Sequence, residues 1–216
     1  MTEQVKIGAT DILLVVDVQN DFCPGGQLAV PGGGEIVPLV NRIAKSFQHV
    51  VLTQDWHPRG HLSFASAHPG KKPFETVMLP YGPQVLWPGH CIQGTTGAGF
   101  HPGLKIPHAE LILRKGYHPE IDSYSAFFEN DRATPTGLAG YLRERGFERV
   151  FCAGLTLDFC VRYTAEDAGP SGFRPIIIED ACRAIDAQGS LDAGLRSFAE
   201  RGIPRIASEA ICAASA

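Results

Sequence analysis

The alternation of short apolar segments with amphipathic segments constrains the fold of this chain more than any other feature. Residues 12–18, ILLVVDV, are apolar except for Asp17, which is typical of a strand buried on both faces of a sheet. Similar segments recur along the chain. They predict six strands, at residues 12–18, 49–55, 110–116, 148–154, 174–180 and 203–207.

Amphipathic stretches separate most of these strands and predict helices at residues 35–47, 134–147, 159–169 and 190–202. Strands joined through helices form right-handed crossovers, and such crossovers produce parallel sheets. The sequence therefore predicts one α/β domain over residues 1–216, with a six-stranded parallel sheet and helices on both faces.

Residues 56–108 interrupt this alternation. They contain eight of the 16 prolines, eight of the 24 glycines and six of the eight histidines. Proline and glycine at this density argue against regular helices or strands. Long irregular segments inside compact domains usually carry function. We therefore expect a long excursion after the second strand that lies over the strand ends.

The composition excludes several classes of protein. The formal net charge is −4 and no basic run predicts a nucleic-acid surface. No apolar run is long enough to span a membrane, and residues 1–11 lack the apolar segment of a secretory signal. The six cysteines form no CxxC pair, so we expect reduced thiols and a cytoplasmic location.

Reactive side chains occur where the predicted strands end. In chain order they are Asp17, then Asp55 with His57, then Lys115, and finally Cys160 shortly after the fourth strand. Ligands bind beyond the carboxyl ends of parallel strands. Each residue alone would also fit a structural role, but their joint placement favours an active site at one rim of the sheet.

Cys160 has the setting of a nucleophile, which the other five cysteines lack. It lies at the predicted start of a helix, where Thr156 or Asp158 could cap the helix. Amide dipoles there lower a thiol pKa, and free N–H groups can bind an oxyanion. Asp17 could accept the thiol proton, and the charge of Lys115 could favour both carboxylate and thiolate.

A second group of residues has the chemistry of a metal site. Asp55, His57 and His61 lie within seven residues, and His90 in the turn WPGHC could supply a further arm. A carboxylate combined with imidazoles suits zinc, iron or manganese with positions left open for water or substrate. We expect one divalent metal ion, with zinc as the first choice.

These motifs together resemble those of the nicotinamidases in the isochorismatase-like cysteine hydrolase superfamily. The resemblance covers nearly the whole chain and rests on five segments in the family's order: DVQNDFCPGGQLAVPGG, QDWHPRGHLSFASAHPGKKPF, LWPGHCIQGT, RKGYHPEIDSYSAFF and GLTLDFCV. It implies hydrolysis of nicotinamide, or a related pyridine carboxamide, through a cysteine thioester. A metal ion would bind the ring nitrogen, and the cellular role would be NAD salvage.

The resemblance also implies a role for each candidate residue. The catalytic residues are the acid Asp17, Lys115 and the nucleophile Cys160. The metal ligands are Asp55, His57 and His90, and His61 matches a position that is a further ligand in some members. The backbone N–H groups of Thr156 and Cys160 form the oxyanion hole, next to a cis Leu155–Thr156 peptide. The substrate-binding residues are Phe22, Leu28, Trp87, Tyr124 and Leu155.

The chain departs from the family at one place, because Thr156-Leu157 stands where Ala-Thr is common. Thr156 adds bulk and a hydroxyl beside the oxyanion site. Two alternatives remain at this point: a superfamily amidohydrolase that cleaves N-carbamoyl or linear amides, and a non-catalytic ligand-binding protein on this fold. The former generally lacks the DxH and WPxHC ligands, and the latter needs no nucleophile. A homodimer is compatible with a domain of this size.

Overall fold

The computed structural model describes residues 4–212, so both ends of the predicted domain, residues 1–3 and 213–216, lie outside the described residues, as does the side chain of Cys212. Within this range the chain forms four α-helices: α1 (Val37–Ala44), α2 (Leu138–Glu144), α3 (Cys160–Ala168) and α4 (Ser190–Glu200). It also forms ten strands: β1 (Val5–Lys6), β2 (Asp11–Val16), β3 (His49–Asp55), β4 (Thr76–Leu79), β5 (Gly82–Val85), β6 (Leu111–Lys115), β7 (Arg149–Leu155), β8 (Arg174–Arg183), β9 (Arg205–Ile206) and β10 (Ile211–Cys212).

Six of these strands form one parallel sheet in the order β6-β3-β2-β7-β8-β9. They are the six strands that the sequence predicts. All residues of β2 are buried, because β2 lies in the middle of the sheet with β3 on one side and β7 on the other. The carboxyl ends of β2, β3, β6 and β7 therefore lie side by side at one rim.

Helices cover both faces of the sheet, as predicted. Leu13 and Val15 of β2 point into a core cluster that includes α1. Ile12 and Leu14 point into a second cluster that includes α2, α3 and α4. Burying a leucine side chain stabilises a fold by about 1.5–3 kcal/mol. The two apolar faces of β2 thus explain both the continuous apolar run and the three-layer architecture.

The helices begin and end close to the predicted positions, with one clear difference. The helix expected at residues 134–147 starts only at Leu138, because Pro135 pairs with Phe128 in an isolated antiparallel bridge. Thr136 also donates its hydroxyl to the carbonyl of Ala126 at 2.5 Å. None of the helices within residues 4–212 is long and apolar enough to cross a membrane.

The expectation that residues 56–108 lack regular structure was wrong in part. β4 and β5 form an antiparallel hairpin whose two-residue loop is Pro80-Tyr81. Pro83 is tolerated because this small sheet has two strands, so proline can occupy an edge. The rest of the excursion has the predicted character, and an isolated bridge between Gln19 and Phe100 attaches it to the rim.

Candidate active site

Three strand ends bring an acid, an ammonium group and a thiol together. Asp17 follows β2, Lys115 is the last residue of β6, and Cys160 is the first residue of α3, after β7. Lys115 Nζ lies 2.8 Å from Asp17 Oδ2 and 3.5 Å from Cys160 Sγ. Asp17 and Lys115 are 0 % and 1 % exposed. The structure therefore brings the three predicted residues together, with Asp17 and Lys115 buried.

The local backbone fixes the direction of the Asp17 carboxylate. Asp17 has a φ of 47°, a left-handed conformation that turns its side chain away from the line of β2. Thr53 of the neighbouring strand donates its hydroxyl to Asp17 Oδ1 at 2.6 Å and accepts the Asp17 backbone N–H at 3.2 Å. These two bonds leave Asp17 Oδ2 directed at Lys115.

Lys115 lies between two carboxylates. Its Nζ donates to Asp17, to Asp55 and to the carbonyl of Ser123 at 2.9 Å. Burial alone would lower the pKa of Lys115, but the two carboxylates raise it well above its ordinary value. Burial likewise would raise the pKa of Asp55, but the Lys115 ammonium and the neighbouring imidazoles of His57 and His90 hold it well below its usual range.

Burial dominates at Asp17 and Cys160. It raises the pKa of Asp17 in spite of Lys115, and it raises the pKa of the Cys160 thiol well above its ordinary value. The expectation that the helix N-terminus lowers the pKa of the Cys160 thiol is therefore wrong. Burial favours the neutral form of the Cys160 thiol.

The expected side-chain cap of α3 is also absent. The N-cap residue is Phe159, and no side chain caps the first turn. The carboxylate of Asp158 instead accepts the backbone N–H groups of Ile185 and Asp186, at 3.1 and 2.8 Å, and the hydroxyl of Ser190. Asp158 thus ties the loop after β8 to the start of α3.

The predicted metal ligands Asp55, His57 and His90 lie together and are buried. Their ligand atoms lie within 4.8 Å of one another. Asp55 Oδ2 is 3.6 Å from His57 Nε2 and 3.8 Å from His90 Nε2. Asp55 also contacts Lys115 through its other oxygen. Asp55 therefore joins the two groups, because one of its oxygens faces the imidazoles and the other faces Lys115.

Backbone carbonyls orient both imidazoles toward this point. His57 Nδ1 bonds to Gly116 O at 2.8 Å, and His90 Nδ1 bonds to Pro88 O at 2.9 Å. A carbonyl only accepts, so each Nδ1 carries a proton, and Nε2 is the ring nitrogen left to bind a metal ion. Gly116 has a φ of 63°, and a Cβ there would lie 2.5 Å from the His57 ring. One carboxylate and two imidazoles fit a divalent metal ion.

His61 lies beside this group but not within it. Its ring centroid is 4.6 Å from that of His57, and its Nδ1 faces Ser63 Oγ at 2.8 Å. It forms a separate group with His57 and Asp122. His61 therefore does not share the ligand position that Asp55 and His90 define.

Gln19 is a supporting residue that the sequence analysis missed. It is fully buried and brackets Asp55: its Nε2 donates to Asp55 O, and its Oε1 accepts the Asp55 N–H, both at 2.8 Å. The motif DVQND contains Gln19, but only the register of β2 and β3 reveals its partner. We expect Gln19 to position the ligand Asp55.

A pocket of about 310 Å³ opens between the triad and the metal group. Its walls include all the predicted site residues except Asp17, Lys115, His61 and Leu155. The residues that line it are Phe22, Leu28, Asp55, His57, Trp87, His90, Asp122, Tyr124, Thr156, Phe159, Cys160 and Ile185. Leu155 instead lies in the fully buried core, against Gly33, so the structure does not support its assignment to the substrate site.

Three of these lining residues were not predicted from the sequence. Asp122 follows β6, Phe159 precedes α3, and Ile185 follows β8. Their shared position at the rim is the signal that could have found them. Phe159 completes an aromatic wall, with its ring centroid 4.9 Å from that of Trp87 and 5.4 Å from that of Tyr124. A flat ring fits between such walls.

The Leu155–Thr156 peptide bond is cis, as the resemblance implies. Thr156 O accepts the N–H groups of Phe159 and Val161, at 3.1 and 3.0 Å. Residue 156 is therefore fixed against the first turn of α3, beside Cys160.

Comparisons with known proteins agree with this geometry. Residues 11–210 match the family model of the isochorismatase domain. The chain is 56 % identical over 199 residues to the nicotinamidase of Acinetobacter baylyi, which covers 92 % of this chain and 93 % of that protein.

Solved structures give the same result. A nicotinamidase and pyrazinamidase of Acinetobacter baumanii superposes with a TM-score of 0.93 at 56 % identity, over 94 % of this chain and 98 % of that one. An L. infantum protein in complex with nicotinate gives 0.85 at 37 % identity, over 97 % and 98 % of the two chains. The pyrazinamidase of Pyrococcus horikoshii in complex with zinc gives 0.74 at 34 % identity, over 92 % and 99 %.

Proposed function

We propose roles for the described residues in the reaction of this chain, which belongs to the isochorismatase domain family and is a nicotinamidase. The enzyme hydrolyses nicotinamide to nicotinic acid and ammonia. The observation that carries the proposed residue roles is that buried Lys115 contacts both Asp17 and Cys160, and that Cys160 lines a pocket together with Asp55, His57 and His90.

The first step is attack by Cys160. Because burial favours the neutral form of its thiol, Asp17 accepts the thiol proton as the sulfur attacks the carboxamide carbon. The carbon–sulfur bond forms, and the carbonyl π electrons move to oxygen. Lys115, 3.5 Å from the sulfur, offsets negative charge on the sulfur during the transfer. The backbone N–H groups of Thr156 and Cys160 stabilise the oxyanion.

The second step releases ammonia. The oxyanion reforms the carbonyl, the carbon–nitrogen bond breaks, and Asp17 returns the proton to the departing nitrogen. A water molecule then attacks the thioester with Asp17 as its base. The carbon–sulfur bond breaks, and Asp17 returns the proton to the Cys160 sulfur as the nicotinic acid leaves.

A divalent metal ion belongs to the site, since one carboxylate and two imidazoles are present with both Nε2 atoms turned toward one point. Asp55, His57 and His90 would hold it. When bound, such a cation acts as a Lewis acid that coordinates the nitrogen of a heteroaromatic ring. We propose zinc, because the donor set suits it and the Pyrococcus horikoshii pyrazinamidase is in complex with zinc.

We further propose that residues 1–216 form a single domain, that the enzyme is a homodimer, and that it works in the reducing cytoplasm. The last proposal is based on the five described cysteines, Cys23, Cys91, Cys152, Cys160 and Cys182, which are all free thiols. Light scattering after size exclusion tests the dimer.

Ammonia release from nicotinamide tests the function. The wild-type enzyme should release ammonia from nicotinamide but not from an N-carbamoyl amino acid or a linear amide. Prior treatment with a chelator should remove the activity, and added zinc should restore it. Activity confined to the N-carbamoyl substrate would contradict the proposal.

A further inference from the structure

The hydroxyl of Thr156 has no hydrogen-bond partner, although it is buried. Thr156 is 3 % exposed, and no described residue lies within bonding distance of its Oγ1. Buried hydroxyls in folded proteins almost always have a partner, because an unpaired one is costly. Such an exception needs an explanation.

The position of this hydroxyl supplies the explanation. The side chains with an unpaired buried atom among the described residues are Asp17, Thr156, Glu129, Tyr141 and Ser171, and Asp17 forms an ion pair with Lys115. Among these side chains, Thr156 alone lines the pocket that contains Cys160. Its backbone is fixed through Thr156 O, which accepts from two N–H groups at the start of α3. The unpaired hydroxyl therefore belongs to a residue with a fixed backbone in the wall of the pocket that Cys160 also lines.

The substrate offers what this hydroxyl lacks. A carboxamide has a carbonyl oxygen that accepts and an NH₂ group that donates. Asp17 returns a proton to the departing nitrogen in the proposed function, so the nitrogen faces Asp17. The carbonyl oxygen then faces the other side of the reacting carbon, where the N–H groups of Thr156 and Cys160 lie.

We propose that Thr156 Oγ1 donates a hydrogen bond to the carbonyl oxygen of the substrate as that oxygen becomes negatively charged. Thr156 is then a catalytic residue through its side chain as well as its backbone. The bond strengthens as charge develops, so its loss should lower kcat more than it raises KM. This inference rests on the proposed function, because it assumes attack by Cys160 on a carboxamide.

Thr156→Val tests the hydroxyl, since valine has nearly the same shape. Because the variant loses a hydrogen bond to a charged oxygen, its kcat for nicotinamide should fall roughly 10- to 100-fold. Its KM should change by less than about threefold. Thr156→Ser retains the hydroxyl and should keep kcat within about threefold of wild type. Because valine removes an unpaired buried hydroxyl, its Tm should equal or exceed the wild-type Tm.

Nicotinaldehyde supplies a second readout. A thiol adds to its carbonyl: a carbon–sulfur bond forms, the π electrons move to oxygen, and the thiol proton ends on that oxygen. Thr156→Val should weaken inhibition by nicotinaldehyde in proportion to the loss in kcat, while binding of pyridine, which has no carbonyl oxygen, stays within about threefold. A merely structural role would weaken both ligands.

The outcomes separate this inference from the proposed function. Wild-type enzyme that releases no ammonia from nicotinamide contradicts the function. An active wild type with an equally active Thr156→Val variant contradicts only the inference, as does an equal loss in the valine and serine variants. If the valine variant does not fold, Thr156→Ala gives the same comparison with serine.

Discussion

Removing the Lys115 ammonium should leave a buried carboxylate without its counterion. The 2.8 Å separation of Lys115 Nζ and Asp17 Oδ2, with an effective dielectric constant of about 20, gives a gross attraction of about 6 kcal/mol. Asp17 can avoid part of this loss by binding a proton. From its ordinary pKa of 3.8, protonation at neutral pH costs about 4 kcal/mol. That cost limits the loss of stability.

We therefore expect Lys115→Met to lower the free energy of unfolding by about 3–4 kcal/mol, within the range for broken buried pairs. At about 2–4 °C for each kcal/mol, Tm should fall by roughly 6–16 °C. Thermal unfolding of the metal-loaded variant measures this fall in Tm. The metal ion is needed because it remains as the cationic partner of Asp55 after Lys115 is replaced. Lys45→Met, at an exposed lysine, is the matched control and should change stability by less than about 0.5 kcal/mol.

The pH dependence of this loss follows from linkage. Without Lys115, burial holds the folded-state pKa of Asp17 above its unfolded value. The folded variant then binds a proton more readily than the unfolded chain, so the deficit relative to wild type shrinks as pH falls toward 4 and grows as pH rises. A deficit that widens on acidification would contradict this assignment.

A second substitution isolates the charge. Adding Asp17→Asn to Lys115→Met removes the unpaired carboxylate, and the asparagine Oδ1 can still accept the Thr53 hydroxyl. The double variant should recover most of the lost stability and remain inactive. If Lys115→Met is as stable as wild type, or if Asp17→Asn brings no recovery, the electrostatic reasoning is wrong.

Further predictions concern the nucleophile and the metal ligands. Cys160→Ala should abolish ammonia release while metal content, measured by mass spectrometry, and nicotinate binding stay at wild-type levels; retained turnover would exclude Cys160 as the nucleophile. Asp55→Ala and His90→Ala should each lose metal at chelator concentrations that leave His108→Ala, at an exposed histidine, fully loaded; full occupancy would place the metal elsewhere. Gln19→Ala should weaken metal binding roughly 10- to 100-fold by releasing the Asp55 backbone, and an unchanged affinity would contradict that positioning role.

The sheet was predictable because its pattern is local. β2 is buried on both faces, so its sequence is apolar at every position from Ile12 to Val16. The position of the rim was predictable as well. A parallel sheet puts all carboxyl ends on one side, so Asp17 and Lys115 were expected at the same rim. The β4–β5 hairpin escaped prediction because each strand has four residues and the pair is rich in proline and glycine.

The protonation state of Cys160 could not be read from the sequence. The start of a helix favours a thiolate, but the opposing effect is burial, and burial depends on residues far along the chain. The contacts of Gln19 and Asp158 could not be predicted for the same reason, since their partners lie 36 and 27 or more residues away. The resemblance pointed to most of the residues that line the pocket, whereas Leu155 lies in the core outside that lining.

The most direct test of the thioester chemistry is to partition the acyl-enzyme between water and hydroxylamine. Nicotinamide and methyl nicotinate should both acylate Cys160, so both should give the same ratio of nicotinohydroxamic acid to nicotinic acid at each hydroxylamine concentration. Cys160→Ala should give neither product. Ratios that differ between the two substrates, or products that persist without the thiol, would contradict a common intermediate on Cys160.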